Sequence, residues 1–421
     1  MPPMPELRPF RGVRYAALGP LRDLVCPPYD IISPADQVRL YERHPYNAVR
    51  IELPFSESNH PAARYEKAAL QFRTWRESGV LVADDAPCLY VYRQDFVVPD
   101  GGGRPAGARG RVAGVIGALA LEAFGRDSGV LPHEHTMPGP IEDRLALLRA
   151  CPVNISPIYG IYRGGGDLAP YYDSLENRPP EARFVDDAGT LHRVWAIRTP
   201  GEIEMLRRAL APGPLVIADG HHRYETALAY HAEQAGAPGG HDAVMCFCVD
   251  ADVEDLVVFP FHRAVRSKVD ASEARRRTVE AFGGKVLDHA ESEAALAEQD
   301  GRHPMIATYP NDDVLVDVPA AEVDAAVGDR PAQFRSLDTV ALHQVFLPRV
   351  FPEGVDEVVF TKEVREVRRL VEHDGWSAGI LLRPPGAADV IEVAGSGERM
   401  PQKASYFWPK AVTGLVFRSL R

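Results

Sequence analysis

Cysteine is scarce. Five residues, Cys26, Cys88, Cys151, Cys246 and Cys248, stand in a chain of 421, an odd number with neither disulfide-scaffold nor zinc-finger spacing. That excludes a stapled secreted fold and fits a reducing compartment. Cys246 and Cys248 lie two apart in Val244-Met245-Cys246-Phe247-Cys248-Val249, on one face of an expected buried strand, as core filler. Long apolar runs are missing as well: no stretch approaches the roughly 18 uncharged apolar residues of a membrane-crossing helix. The stretch Met1-Pro2-Pro3-Met4-Pro5-Glu6 has no basic segment followed by an apolar one, so neither secretion nor membrane insertion is indicated and a cytoplasmic protein is expected. Basic excess is lacking too. With 47 Lys plus Arg against 59 Asp plus Glu, the net charge of -12 repels a duplex phosphate backbone, and no DNA partner is expected. No repeat of solenoid period is visible.

What is present is the composition of an ordinary globular protein, 45% hydrophobic and 25% charged. The length calls for roughly two to three domains or subdomains. Strand-like and helix-like runs alternate, which makes the expected fold class α/β of the mixed α+β kind. Ser33-Pro34 opens a helix, and residues 48–53 read as a strand ending at Pro54. Tyr65, Ala69, Phe72 and Trp75 recur at helical spacing before Gly79. Leu89 to Val98 and Arg111 to Leu119 flank Asp100-Gly101-Gly102-Gly103 as a hairpin. A core over residues 1–264, an appended α/β subdomain over 265–335 and a segment over 336–421 that returns to the core are expected.

The most informative segment is Asp219-Gly220-His221-His222-Arg223-Tyr224, between the apolar run Pro214 to Ala218 and a strong helix former, hence on a strand-to-helix turn. A helix amino terminus offers unpaired N–H groups and a partial positive charge, so such a turn favours anions before any side chain is counted. Gly220 lets the backbone approach a ligand, Arg223 offers a forked donor set to phosphate, and His221 and His222 can donate hydrogen bonds or ligate metal. Asp219 can hold Mg²⁺ or accept a proton.

Three further clusters carry chemistry. In Leu131-Pro132-His133-Glu134-His135, an extended chain would point His133 and His135 the same way as a possible metal pair. Val25-Cys26-Pro27-Pro28-Tyr29-Asp30 ends on a carboxylate that read alone is a helix cap. Gln402-Lys403-Ala404-Ser405-Tyr406 and Lys410 bring cations to an anionic ligand or are simply solvated.

Taken together, Arg8-Pro9-Phe10-Arg11-Gly12, Pro-Pro-Tyr-Asp at 27–30, Leu-Pro-His-Glu at 131–134, Asp-Gly-His-His-Arg-Tyr at 219–224 and Met400-Pro401-Gln402-Lys403 resemble a widespread prokaryotic family of uncharacterised proteins, nearly end to end. The Asp-Gly-His-His-Arg turn also resembles the ligand turn of the ParB/sulfiredoxin superfamily, which includes free-serine kinases. That resemblance implies a ParB/sulfiredoxin-like nucleotide-binding core, with ATP or a related nucleotide and Mg²⁺ held near Asp219, Gly220, His221, His222, Arg223, Tyr224 and Lys403. It also implies a carboxylate, Asp30 or Glu134, that activates an acceptor hydroxyl, with Asp219 and His222 in the catalytic set. Sulfiredoxin chemistry needs a cysteine where His221 stands, and the DNA module of ParB has no candidate here. The leading expectation is a Mg²⁺-dependent phosphotransferase on a small hydroxyl-bearing metabolite. Two alternatives are a metal-dependent hydrolase using His133, His135, His221 and His222, and a non-enzymatic nucleotide sensor.

Overall fold

Alternation of apolar residues along the long strands dictates what they pack against. In Leu89–Val97, Leu89 and Val91 face one core while Tyr90 and Tyr92 face another, and in Arg109–Ala120 Val115 and Ile116 divide in the same way. A sheet buried on both faces follows. The computed structural model describes residues 5–16, 19–56, 62–101, 106–125, 128–164, 166, 168–210, 213–234 and 237–421. Met1 to Met4 of the amino-terminal stretch, and Gly102 and Gly103 of the expected hairpin loop, lie outside them.

The protein is a mixed α/β fold. Its largest sheet has nine strands, in the order Val130–Pro132, Leu215–Asp219, Ile158–Tyr162, Ala243–Asp250, Arg109–Ala120, Leu89–Val97, Leu191–Ile197 and Ala182–Val185, with Leu7–Arg8 also paired to Arg109–Ala120. Two pairings are parallel, Leu215–Asp219 with Val130–Pro132 and Ala243–Asp250 with Ile158–Tyr162. The hairpin of Leu89–Val97 and Arg109–Ala120 is as expected. Cys246 and Cys248 share one buried face of Ala243–Asp250, and all five cysteines are buried thiols.

A second sheet of six antiparallel strands runs in the order Lys285–Leu287, Asp313–Asp317, Pro304–Thr308, Ala378–Leu382, His262–Arg266 and Glu357–Thr361. Its strands begin at His262 and end at Leu382, so the boundaries expected at 264 and 335 fall inside its span. One continuous core joins the sheets: Tyr92 and Phe247 from the first, Phe407 from the tail, and Met305 and Ile380 from the second. Tyr406–Trp408 pairs with Val257–Phe259 at the junction, and Phe417–Ser419 enters a small sheet between Gly12–Tyr15 and Val153–Asn154.

Residues 48–53 form a short helix, Val49–Glu52, rather than the expected strand. Buried Asn47 explains the difference. Its Oδ1 accepts from the Val49 N–H at 3.0 Å while its Nδ2 donates to the carbonyls of Asp23 and Val25. A local side-chain bond of this kind outbids the strand preference of a β-branched run.

The tail is locked by Arg418, whose guanidinium donates to Asn154 Oδ1 at 3.0 Å, Ala243 O at 2.9 Å and Gly240 O at 2.7 Å from a buried position. Arg418→Ala is expected to lower the unfolding free energy by about 2–4 kcal/mol, since it orphans these acceptors. A shift in the urea midpoint at constant slope checks this.

Candidate functional site

The strand Leu215–Asp219 buries four apolar residues and delivers Asp219 at its carboxyl end. Gly220 follows in the left-handed region, φ 93° and ψ 27°, and the helix His221–Glu233 begins at once. A Cβ at Gly220 would stand 2.9 Å from Ile158 and 3.1 Å from the Arg223 guanidinium, so both backbone shape and space require glycine. No side chain caps this helix, which leaves its first N–H groups and their partial positive charge directed into the turn.

Asp219 is an ionic hub. Its Oδ1 takes the ammonium of Lys410 and its Oδ2 takes Arg223 Nη2 at 2.6 Å, with the carboxylate only 11% exposed. Burial pushes the Asp219 carboxyl up, but Lys410 and Arg223 outweigh it and hold it below the usual carboxylate range. Arg223 Nη1 donates to Pro157 O at 2.7 Å and to Ser156 Oγ at 3.0 Å. Ser156 donates to Glu52 Oε1, which also accepts the Tyr29 N–H at 3.3 Å. A chain of bonds therefore runs from Pro-Pro-Tyr-Asp to the turn. Asp30 itself is exposed, and its charge reaches Arg223, His222 and Tyr406.

The histidines are pins. His133 Nδ1 sits 2.6 Å from the Ile217 carbonyl and so carries the proton, leaving Nε2 to accept from Ser405 Oγ at 3.0 Å. His221 Nε2 accepts the His133 N–H at 3.2 Å, which directs its Nδ1 to Glu134 at 3.5 Å. His222 Nε2 accepts the Met137 N–H at 3.0 Å. Burial pushes the protonation of all three below the ordinary histidine value. The tail closes the arrangement, with the Met400 N–H on the His133 carbonyl at 2.7 Å and Lys410 Nζ 4.4 Å from the Tyr406 ring.

The four sequence clusters thus converge, and Asp30, Glu134, His222, Gly220 and Lys403 all border the turn. Several expected roles change. Tyr224 is fully buried on the opposite side of the sheet, its hydroxyl on Glu122 O and its ring stacked on Phe124, so it cannot touch a ligand at the turn. Arg223 spends both terminal nitrogens on protein acceptors rather than offering a fork to phosphate. Asp219 does not fit the Mg²⁺ role, because cations hold both its oxygens. His221 is buried and already an acceptor, not a phosphate donor. His135 is exposed and faces Arg399 at 3.5 Å, away from His133, so the histidine hydrolase set does not assemble. Among the described residues no three His, Cys, Asp or Glu side chains are grouped to hold a metal.

Sequence reading missed Glu52, Ser156, Arg263 and Lys362. Arg263 is fully buried, donates to the Lys403 carbonyl at 3.0 Å and the Phe261 carbonyl, and burial lowers its pKa to about 9. It fixes the backbone at Lys403, whose φ is 55°. Lys362 Nζ lies 5.4 Å from the Tyr406 ring and Lys403 Nζ 5.3 Å from Phe261. No local pattern marks Arg263 or Lys362, since both arrive from the second sheet.

The chain matches the family described as Protein of unknown function (DUF1015) over residues 7–340 and belongs to that family. No curated protein matches it. Among solved structures, one described as free serine kinase in complex with AMP is 12% identical, with a TM-score of 0.35 over 70% of this chain and 88% of its own. A conserved hypothetical protein from Pyrococcus furiosus is 12% identical, with a TM-score of 0.34 over 68% and 92%. SbnI from Staphylococcus aureus, truncated at its carboxyl terminus, is 10% identical, with a TM-score of 0.37 over 71% and 85%.

The histidine pins make stability depend on pH. Because His133, His221 and His222 bind protons less readily folded than at the ordinary value of 6.5, the unfolded chain takes protons up first as pH falls. Stability is full above about pH 6.5 and declines below it, by up to about 1.4 kcal/mol per pH unit for each histidine. Denaturant melts between about pH 8 and about pH 5 measure the slope. His221→Gln keeps an acceptor for the His133 N–H and is expected to flatten it; an unchanged slope would show that His221 already titrates normally in the fold. Gly220→Ala is expected to cost about 1–3 kcal/mol in the same melts.

Proposed function

We propose that this protein binds a nucleotide through its phosphates at the 219–224 turn and transfers a phosphoryl group to a small hydroxyl-bearing metabolite. The observation that carries the reading is the convergence of four distant motifs on one turn, where an uncapped helix terminus meets Lys403, with Lys362 farther out beside Tyr406. Lys403 has no acidic partner in an ion pair among the described residues, and Lys362 has only exposed Glu363 at 3.6 Å. The likeness of the turn to the ParB/sulfiredoxin superfamily, which includes free-serine kinases, supports the same reading.

The roles differ from those the motif alone implies. Phosphate oxygens are taken by the N–H groups of the helix terminus and by Lys403, while Arg223 and Lys410 hold Asp219 in place. Phosphoryl transfer asks mainly for positioning and charge neutralisation, which these groups supply. Mg²⁺ takes one or two carboxylates together with substrate phosphates. Since both Asp219 oxygens are engaged, the ion accompanies the nucleotide rather than a preformed protein cage. Asp30, exposed beside His222, accepts the hydroxyl proton as the acceptor oxygen bonds to phosphorus and the nucleoside diphosphate leaves. Glu134, against His221, is the second carboxylate within the site.

Calorimetry of the full chain with ATP, ADP and CTP, with and without Mg²⁺, tests this. Lys403→Ala is expected to weaken binding about tenfold or more, about 1.4 kcal/mol. Asp30→Asn should leave binding intact and lower transfer to an acceptor by roughly 10²–10⁴. Binding without turnover on any hydroxyl acceptor would leave a nucleotide sensor. Absence of binding by folded wild type would remove both readings.

A further inference from the structure

A polar cavity lies in the part of the molecule built on the six-stranded sheet. It measures about 310 Å³ and is lined by Arg302, His303, Asp324, Arg335 and Ser336, with Ala320 and Ala332. Its residues come from three places: the turn before Pro304–Thr308, the helix Ala320–Val327 and the segment around Ala332–Arg335. None belongs to the motifs at the 219–224 turn.

The cavity carries more positive charge than its own carboxylate cancels. Arg335 Nη1 pairs with Asp324 at 2.7 Å, which uses the one acid of the lining. Arg302, exposed at the edge, makes no side-chain hydrogen bond or ion pair among the described residues. Arg335 Nε is out of solvent and has no hydrogen-bond partner.

The wall is also built rather than incidental. His303 is 2% exposed, its Nδ1 unpartnered by a hydrogen bond and 3.5 Å from Asp338. Asp338 is held by Arg383 through bonds of 2.9 and 3.1 Å. The same Arg383 donates to the carbonyls of Gln299, Gly301 and Arg302, all between 3.1 and 3.2 Å. One half-buried ion pair thereby fixes the turn that presents Arg302, so the free guanidinium stands on a rigid base.

We infer that this cavity is a binding site for a small anionic metabolite bearing a carboxylate or a phosphate, gripped by the guanidinium groups of Arg302 and Arg335, with Ser336 and His303 as polar walls. The volume falls at the lower end of small-molecule sites and suits a compact metabolite rather than a whole nucleotide. Planar guanidinium groups take two-oxygen anions in a forked geometry, which is the chemistry that both ligand classes share.

Binding of inorganic phosphate and of malonate to the full chain, followed by calorimetry and by the shift in melting temperature, tests the inference. Arg302→Ala removes a side chain with no partner and should fold as wild type, yet weaken binding about tenfold. Arg335→Gln should do the same at some loss of stability, because it also breaks the pair with Asp324. A response to phosphate alone assigns a phosphate ligand, and a response to malonate alone assigns a carboxylate. Lys403→Ala separates the two sites: it should leave the Arg302-dependent signal untouched even if it abolishes nucleotide binding. Equal responses in wild type and Arg302→Ala to both probes would overturn the assignment.

Discussion

The carboxylate of Asp219, buried between Lys410 and Arg223, is the interaction on which the rest of the site depends. Lys410 comes from the tail and Arg223 from the helix that follows the turn, so one side chain ties the largest sheet to the end of the chain. A buried ion pair is weak as a source of net stability, because desolvation consumes most of its attraction. Breaking one is another matter, at about 3–5 kcal/mol, since a lone charge stays behind. The hub therefore acts as a specificity device: the fold is satisfied only when tail, strand and helix all arrive.

That dependence explains why motif residues so far apart in the chain form one set. Arg223 hands its second nitrogen to Ser156 and Pro157, Ser156 to Glu52, and Glu52 to the backbone before Asp30. His133 bonds Ile217 and Ser405 while its own backbone bonds His221 and Met400. Most of the polar motif side chains thus have partners in another motif, and the groups that remain unspent are few: the helix N–H groups, Lys403 and Asp30, with Glu134 only loosely held at 3.5 Å from His221. Function is read from that remainder, not from the motif as a whole.

Much of this was legible beforehand where local rules govern. The strand-to-helix turn followed from an apolar run before Gly220, the helix after Ser33 from its cap and proline, and the hairpin of Leu89–Val97 from alternation. The turn's importance was legible because polar residues stood directly behind a buried strand. What failed was decided at a distance. The strand expected at 48–53 lost to one buried amide, Asn47, whose partners lie more than twenty residues away. Roles within the turn failed for the same reason. Spacing says that Arg223 can reach a phosphate, but Pro157 and Asp219 reach it first. Spacing says that Tyr224 adjoins the site, but the helix turns it through to the far core, against Phe124.

The second sheet contributes to the site by charge rather than by motif. Among the described residues, buried Arg263 has no carboxylate in contact and donates to backbone carbonyls, which places a full positive charge behind the turn that carries Lys403. Lys362 adds another beside Tyr406. Arg263 and Lys410 carry their charge largely out of water, while Lys362 and Lys403 reach the surface beside the rings of Phe259, Phe261 and Tyr406. Four cations, Arg263, Lys362, Lys403 and Lys410, thus surround one stretch of the tail in a protein whose net charge is -12. Such a cluster draws an anion at close range before any hydrogen bond forms.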